Sequence, residues 1–217
     1  MLIQNKIIAV LTINDSNKIL DLAKCLYNSG IINLDIRLRT KESKNAIEKI
    51  SNSDYNFNIG VGTVLNFEDL NFVSSLGIKY AFSPHTDESI INLSNKLKVN
   101  FIPGVSNEDD IRKSINCGCN YLKYFPAEKL GGINYLNSIT KAFKKISLNF
   151  IAMGGINNIN ISPYLNHEKI IGIGSSWIAN ETLINDSNWK EIERRAKLLL
   201  EIYYTRYTSL LVCTCTT

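Results

Sequence analysis

The sequence contains no long apolar run: none approaches the roughly 18 residues that a bilayer-spanning helix requires. The first residues, MLIQNK, lack the charged-then-apolar layout of a signal peptide. The 24 lysines and arginines and the 20 acids are interspersed, so the net charge of +4 forms no stripe of the kind that binds nucleic acid. These absences predict a cytoplasmic protein that has neither a membrane nor a nucleic acid as a partner.

Cysteine and histidine are both scarce, with five cysteines and two histidines. Cys25 stands alone, and the others form the pairs Cys117/Cys119 and Cys213/Cys215. A C-x-C pair can bind a soft metal, but no histidine cluster accompanies these pairs and neither has the C-x2-C spacing typical of zinc sites. We therefore expect free thiols in a reducing compartment and no metal.

The hydrophobic content of 45% and the charged content of 20% over 217 residues are typical of one globular domain. Short β-like runs alternate with amphipathic helix-like runs, and eight such alternations predict an α/β fold, a single (β/α)8 TIM barrel. An open doubly wound sheet is the alternative. The predicted strands are Ile7–Leu11, Asn33–Leu38, Phe57–Val61, Tyr80–Phe82, Asn100–Ile102, Tyr121–Tyr124, Asn149–Ala152 and Ile170–Ile173.

The C-terminal part of the chain departs from this alternation. We predict that the barrel occupies residues 1–204, with one helix at about Tyr135–Ile146 and a last helix at about Trp189–Tyr204. Residues 205–217 carry no charge after Arg206, and we expect them to form an irregular C-terminal extension with no assigned role.

Lys123 lies in an apolar, aromatic-rich run that ends at Pro126 and that we interpret as a buried strand. A buried ammonium loses its hydration, so desolvation favours the neutral amine, a nucleophile that can form a Schiff base with a carbonyl substrate. A lysine at a strand end can instead extend its ammonium to water, and this segment by itself favours that simpler interpretation.

The second predicted strand, NLDIRLRT, places its charged side chains on one face. Asp35, Arg37 and Arg39 alternate with apolar residues and would point into a barrel, where charges are costly unless they pair or contact a ligand. An exposed edge strand would show the same alternation. In the barrel, Asp35 is a candidate general base and Arg39 a candidate clamp for a carboxylate. We also expect Arg37 to pair with Asp35 and to lower its pKa.

Glycine-rich segments follow the third, seventh and eighth predicted strands. GVGT (60–63) lacks the third glycine of a dinucleotide fingerprint, so its glycines instead allow close backbone approach and Thr63 offers a hydroxyl. MGG (153–155) and GSS (174–176) end the last two strands, where (β/α)8 barrels often bind phosphate on backbone N–H groups. Ordinary turn glycines are the alternative.

Together, these segments resemble the class I 2-keto-3-deoxy-6-phosphogluconate (KDPG) aldolases, which also act as 4-hydroxy-2-oxoglutarate (KHG) aldolases. The resemblance implies a homotrimeric, metal-free (β/α)8 lyase without a cofactor, in Entner–Doudoroff carbohydrate metabolism. Its substrate would be a small keto acid phosphate, KDPG, which is cleaved to pyruvate and glyceraldehyde 3-phosphate. The matching segments, in order from about Ile7 to Trp177, are LDIRLRT (34–40), GVGTVLN (60–66), FSP (82–84), IPGV (102–105), LKYFPAE (122–128), GGI (154–156) and GSSW (174–177).

The resemblance also implies a role for individual residues. Lys123 matches the Schiff-base lysine, and Asp35 stands where the family carries its acid–base glutamate. Arg39 and Thr63 match the residues that bind the pyruvyl carboxylate, and Phe125 matches an aromatic residue beside the reacting carbons. The phosphate site is matched by Gly154, Gly155, Gly174, Ser175 and Ser176.

Three residues depart from the family pattern. Asp35 is one methylene shorter than glutamate, which predicts reduced turnover. Arg37 replaces a small polar residue. Met153 occupies the position that senses the C4 hydroxyl, where KDPG-type enzymes carry threonine and galactonate-type relatives an apolar residue, so the C4 stereopreference stays open. The alternatives are oxaloacetate decarboxylation at the same lysine, a phosphate-binding barrel isomerase without imine chemistry, and a sugar-phosphate-binding relative without turnover.

Overall fold

The structure, a computed structural model, describes residues 5–214 and the side chains of residues 5–206. Within these residues, nine parallel β-segments form one sheet in the order β5-β4-β3-β2-β1-β9-β8-β7-β6. The segments are β1 Ile7–Leu11, β2 Asn33–Arg37, β3 Asn58–Gly62, β4 Tyr80–Phe82, β5 Asn100–Ile102, β6 Gly104–Val105, β7 Tyr121–Tyr124, β8 Asn149–Met153 and β9 Ile170–Ser175.

The two ends of this sheet are halves of one strand. Only Pro103 separates β5, which pairs with β4, from β6, which pairs with β7. Proline has no N–H to donate to a ladder, but the Pro103 carbonyl accepts a hydrogen bond from the Lys123 N–H at 2.8 Å. The sheet therefore closes into a barrel of eight strands, which confirms the predicted TIM barrel and excludes the open sheet.

Helices lie between the strands and cover the outside of the barrel. In α1, Ile19, Leu22, Ala23 and Leu26 are buried at the spacing of one helix face, as an amphipathic helix on a sheet requires. The helices are α1 Ile19–Asn28, α2 Ser43–Ser51, α3 Phe67–Ser75, α4 Glu88–Leu97, α5 Glu108–Asn116, α6 Ala127–Leu130, α7 Gly132–Ile139, α8 Ile161–Leu165, α9 Glu181–Asn185 and α10 Trp189–Thr214.

Two helix predictions need correction. The helix expected at Tyr135–Ile146 is α7, which begins at Gly132 and ends at Ile139, followed by a 3₁₀ turn at Lys141–Phe143. The irregular extension expected from Thr205 is wrong for residues 205–214, because α10 continues to Thr214. No glycine or proline interrupts residues 189–214, so nothing in the backbone ends that helix earlier. Residues 215–217 lie outside the described part, and the domain boundary at residue 204 stays a prediction.

The alternation of side chains along the strands separates two apolar layers. Outward residues such as Leu34 and Ile36 join the large cluster between barrel and helices. A smaller cluster fills the barrel interior and consists of Ile8, Val10, Phe82, Ile102, Ile151 and Met153. Because Leu34 and Ile36 point outward, Asp35 points into the interior, as the barrel prediction requires.

The described residues contain neither a membrane-spanning helix nor a cluster of metal ligands. None of the helices in residues 5–214 has the length and apolar character to cross a membrane. The described side chains include no group of three or more His, Cys, Asp or Glu residues that could hold a metal ion. Cys25, Cys117 and Cys119 are free thiols. The side chains of Cys213 and Cys215 lie outside the described part.

Candidate active site

Lys123 lies on β7, with its side chain inside the barrel. It is 5% exposed, and its strand neighbours are Gly104 on β6 and Ile151 on β8. Its Nζ lies 4.8 Å from the centre of the Phe125 ring. The alternative in which this ammonium extends to bulk water does not fit such burial. We conclude that Lys123 is a buried lysine in an enclosed interior.

Burial lowers the pKa of the Lys123 ammonium from its ordinary value of 10.5. The positive charges of Arg39 and Arg37 lower it further, whereas the negative charge of Asp35 opposes the change. The low-dielectric interior thus favours the neutral amine. A neutral, enclosed amine is the form that attacks a carbonyl carbon.

Asp35 is the buried carboxyl of the same interior, 0% exposed on β2. Neither of its oxygens has a hydrogen-bond partner among the described residues. Its space depends on Gly62 of the neighbouring strand, because a Cβ on Gly62 would lie 2.1 Å from Asp35 Oδ1. Because the neighbouring strand carries a glycine at this point, no side chain fills the space beside the carboxyl. The carboxyl can therefore bind a ligand or water.

The expected ion pair between Arg37 and Asp35 is wrong, although the Arg37 charge acts to lower the pKa of Asp35, as expected. No ion pair joins the two side chains within the described part, and burial raises the pKa of Asp35. The charges of Lys123, Arg37 and Arg39 oppose that rise without reversing it. Two positions along a strand are about 6.6 Å apart, so Arg37 stands above Asp35 toward the barrel mouth.

Arg39 and Thr63, the predicted carboxylate binders, are in direct contact. Arg39 Nε donates a hydrogen bond to Thr63 Oγ1 at 3.2 Å. Thr63 is buried and has a φ of +61°, a left-handed conformation that is uncommon for a β-branched residue. Arg39 is exposed at the mouth. The remaining guanidinium N–H groups can therefore meet a carboxylate beside the Thr63 hydroxyl.

Phe125 and Met153 are apolar side chains of the barrel interior, in which the Lys123 side chain also lies. Met153 is 2% exposed in the interior cluster, and the Phe125 ring packs against that cluster. Met153 pairs in register with Gly174 of β9, which brings the ends of β8 and β9 together. An apolar side chain thus faces the interior at position 153, to which the sequence resemblance assigns the sensing of the C4 hydroxyl.

The two glycine-rich turns meet at the ends of β8 and β9. Gly154 and Gly155 have φ values of +99° and +85°, which strongly favour glycine. The Ser175 hydroxyl is buried and donates to the Ile156 carbonyl at 2.6 Å, so it ties the first turn to β9. Ser176 is exposed. Of the two predicted hydroxyls, only that of Ser176 faces outward.

Sequence reasoning missed the role of Glu128 at the start of α6. Its Oε2 accepts from Asn160 Nδ2 at 2.8 Å, its Oε1 accepts from the Tyr164 hydroxyl, and its N–H donates to the Gly154 carbonyl at 3.1 Å. Asn160 Nδ2 also donates to the Gly155 carbonyl at 3.0 Å. These bonds connect α6, which follows the lysine strand, to the glycine turn after β8. Glu128 lies in the LKYFPAE segment, but its partners are more than 30 residues away, and no local pattern predicts them.

A closed parallel barrel with a buried lysine facing a buried carboxyl and an arginine–threonine pair defines the class of barrel lyases that work through a Schiff base. The chain belongs to the KDPG and KHG aldolase family, whose model matches residues 1–195.

Individual relatives cover most of the chain. The 2-dehydro-3-deoxy-phosphogluconate aldolase of Pseudoalteromonas atlantica is 32% identical over 194 residues, 89% of each chain. The KHG/KDPG aldolase of Escherichia coli is 28% identical over 195 residues, 90% of this chain and 91% of the relative. Among solved structures, the KDPG aldolase of Legionella pneumophila with pyruvate captured at low pH as a covalent carbinolamine superposes with a TM-score of 0.84. It is 31% identical, covering 89% of this chain and 93% of that chain.

Proposed function

We propose that this protein is a class I aldolase that cleaves KDPG to pyruvate and glyceraldehyde 3-phosphate, and KHG to pyruvate and glyoxylate. The observation that carries this proposal is the buried Lys123 beside the buried Asp35 inside a barrel of the KDPG and KHG aldolase family. An isomerase would need no buried lysine nucleophile. Oxaloacetate decarboxylation would pass through the same lysine iminium, so it is a side activity of the same site.

The reaction begins when the neutral Lys123 amine attacks the C2 ketone. Loss of water gives a protonated iminium, which withdraws electrons from the adjacent carbons. Asp35, acting through a water molecule, accepts the proton of the C4 hydroxyl. The C3–C4 bond breaks, its electron pair forms the enamine, and C4 leaves as the aldehyde. Protonation of the enamine at C3 and hydrolysis of the iminium release pyruvate and regenerate Lys123.

The other side chains would hold the substrate in register. Arg39 and Thr63 bind the C1 carboxylate, which orients C2 toward the lysine. Phe125 and Met153 pack against the reacting carbons and exclude water. The phosphate lies in the cradle formed by the ends of β8 and β9, which consists of Gly154, Gly155, Gly174, Ser175 and Ser176.

We further propose that the protein acts as a cytoplasmic homotrimer in Entner–Doudoroff carbohydrate metabolism. The support for these three features is the sequence resemblance to the family. Sedimentation of the purified protein tests the trimer, with a mass of three chains of 24.4 kDa each as the expected result. A monomer or dimer would contradict it.

Trapping with borohydride in the presence of pyruvate tests the proposed chemistry. We expect a reduced pyruvyl adduct on Lys123, located by intact and peptide mass spectrometry. Lys123→Met should remove the adduct, whereas Lys129→Met, at a lysine on the surface of α6, should leave it unchanged. A folded protein that forms no adduct, or forms it at another lysine, would contradict class I chemistry at this site.

A further inference from the structure

Two buried polar groups at the ends of β1 and β2 are left without a partner. Thr12 Oγ1 and Arg37 Nε are both buried, and neither has a hydrogen-bond partner within the described part of the chain. Thr12 is itself only 4% exposed. A buried donor without an acceptor is destabilising, so such groups point to a ligand or a bound molecule.

Strand register places these two groups side by side. Val10 pairs with Asp35 and Leu11 pairs with Ile36, so the next position of each strand sets Thr12 opposite Arg37. Val10 lines the barrel interior and Asp35 points into it, and the alternation continues to Thr12 and Arg37. The pair therefore lies one layer above the candidate general base, at the mouth of the barrel.

The pair borders the phosphate cradle. β1 lies between β2 and β9, and Ala9 of β1 pairs with Ser175 of β9. Glu181, at the start of α9 and therefore just after β9, is one of the charged residues that act on the Arg37 guanidinium. Burial lowers the pKa of Arg37, and Glu181 and Asp35 oppose that change.

The proposed phosphate cradle lacks a charged hydrogen-bond donor, which Arg37 supplies. Its residues Gly154, Gly155, Gly174, Ser175 and Ser176 carry no charge, and the Ser175 hydroxyl is already bonded to the Ile156 carbonyl. A guanidinium and a hydroxyl at its edge would each donate to phosphate oxygens. Arg39 is committed to Thr63, so Arg37 is the arginine at the mouth whose Nε has no partner there.

We propose that Arg37, assisted by Thr12, binds the distal phosphate of the substrate and determines a preference for phosphorylated keto acids. This inference rests on the proposed function and deepens it. It assigns the departure at residue 37 a role at the far end of the substrate, in addition to the effect of its charge on the pKa of Asp35.

The test compares KDPG with the same keto acid lacking its phosphate. For Arg37→Thr we expect kcat/KM for KDPG to fall about 10- to 100-fold, the effect of a lost hydrogen bond to a charged group. The unphosphorylated acid should change less than about threefold, because it never makes the contact. Inhibition by inorganic phosphate should weaken in parallel with the loss on KDPG. Thr12→Val should show a smaller loss in the same direction, and Arg37→Lys an intermediate one.

Controls separate this inference from the proposed function. Arg194→Thr, at an exposed arginine of α10, should leave kcat/KM unchanged for both substrates. Pyruvate trapping at Lys123 should persist in Arg37→Thr, because pyruvate carries no phosphate. A parent protein that does not trap pyruvate would overturn the proposed function, whereas the anion site is tested by the phosphate dependence. Stabilisation of the parent protein by inorganic phosphate, absent in Arg37→Thr, tests the site without turnover.

Equal losses of kcat/KM on both substrates, or an unchanged kcat/KM for KDPG, would overturn the inference. If Arg37→Thr does not fold, Arg37→Lys and Thr12→Val test the inference by the loss of kcat/KM for KDPG relative to the loss for the unphosphorylated acid.

Discussion

At the scale of single residues, burial moves the pKa values of Lys123 and Asp35 in opposite directions. Desolvation lowers the pKa of the amine and raises that of the carboxyl, so the interior favours the neutral form of each. The neutral amine is the nucleophile, and a carboxyl with a raised pKa is a better proton acceptor once it is ionised. The same burial makes the ionised Asp35 unfavourable for folding.

Asp35→Asn should therefore increase stability and abolish cleavage. Because burial raises the pKa of Asp35, the folded state holds its proton to higher pH than the unfolded state, whose pKa stays near 3.8. The free energy of unfolding of the parent protein then falls as pH rises from 3.8 through the folded-state pKa. At pH 7 we expect the variant to be more stable by about 1–3 kcal/mol, as measured by denaturant unfolding. Its turnover should fall at least about 100-fold.

The matched control for this prediction is Asp35→Glu, which keeps the charge and restores the length that the family carries. It should raise the turnover of KDPG, because a misplacement of about 1 Å is worth about 100-fold in rate. The stability difference between Asp35→Asn and the parent protein should vanish below pH 3.8, where both states are protonated. An Asp35→Asn protein that is less stable at pH 7 would contradict the argument from burial.

The second prediction at this scale concerns the effect of Met153 on the preference between C4 epimers of the substrate. An apolar side chain cannot hydrogen-bond the C4 hydroxyl, so we expect the parent protein to cleave the gluconate and galactonate epimers at rates within about tenfold of each other. Met153→Thr should shift kcat/KM toward the gluconate epimer by about tenfold, because threonine supplies a hydroxyl there. Parallel cleavage assays on the two epimers measure this. An epimer ratio that is unchanged in the variant would rule out Met153 as the determinant.

At the scale of elements, α6 connects the lysine strand to the glycine turn after β8. Glu128→Ala removes the acceptor for Asn160 and Tyr164, so the turn at Gly154 and Gly155 should lose its fixed position. We expect the KM for KDPG to rise about tenfold, whereas pyruvate trapping at Lys123 should stay within about twofold. Steady-state cleavage and trapping rates are the two measurements.

The conservative variant distinguishes positioning from general support of the fold. Glu128→Gln should recover most of the lost KM, because its carbonyl can accept from Asn160 and its amide can donate to the Tyr164 oxygen. Glu108→Ala, at an exposed acid in the first turn of α5, serves as the matched control and should have no effect. Trapping and cleavage that fall together in Glu128→Ala would assign this residue to structure alone.

The strands were predictable as elements, and the short helices were not. The strands carry alternating or continuous apolar runs with β-branched or aromatic residues, and β1, β4, β5 and β7 match their predicted bounds. The region from Ala127 to Phe143 consists of α6 and α7, which meet at Gly131 and Gly132, and of a 3₁₀ turn at Lys141–Phe143. Both glycines have positive φ values, and the Gly132 carbonyl accepts from the Tyr124 hydroxyl at 2.9 Å. Such tertiary contacts override the local helical pattern.

At the scale of the whole molecule, we expect that the C-terminal helix can be shortened without loss of the barrel. The buried side chains of α10 among the described residues are Ile192, Ala196, Leu199 and Leu200, which belong to the large apolar cluster between barrel and helices. Deletion of residues 207–217 should leave the melting temperature within about 3 °C and the cleavage of KDPG unchanged. Calorimetry and the cleavage assay test this. A large fall in melting temperature would show that the last turns of α10 are part of the folded unit.

The sequence by itself determined the barrel, the inward face of β2 and the identity of the candidate lysine, because strand period and strand-end motifs are local properties of the chain. The resemblance also predicted that Arg39 and Thr63 bind one carboxylate, and in the structure the two side chains are in contact. Tertiary structure alone decided which charged and polar side chains of the interior pair with one another. Whether Arg37 pairs with Asp35, which hydroxyl of Ser175 and Ser176 stays free, and what Glu128 binds all depend on groups that are distant in sequence. Burial and hydrogen bonding arise only when the strands close around them, and no spacing along the chain records that closure.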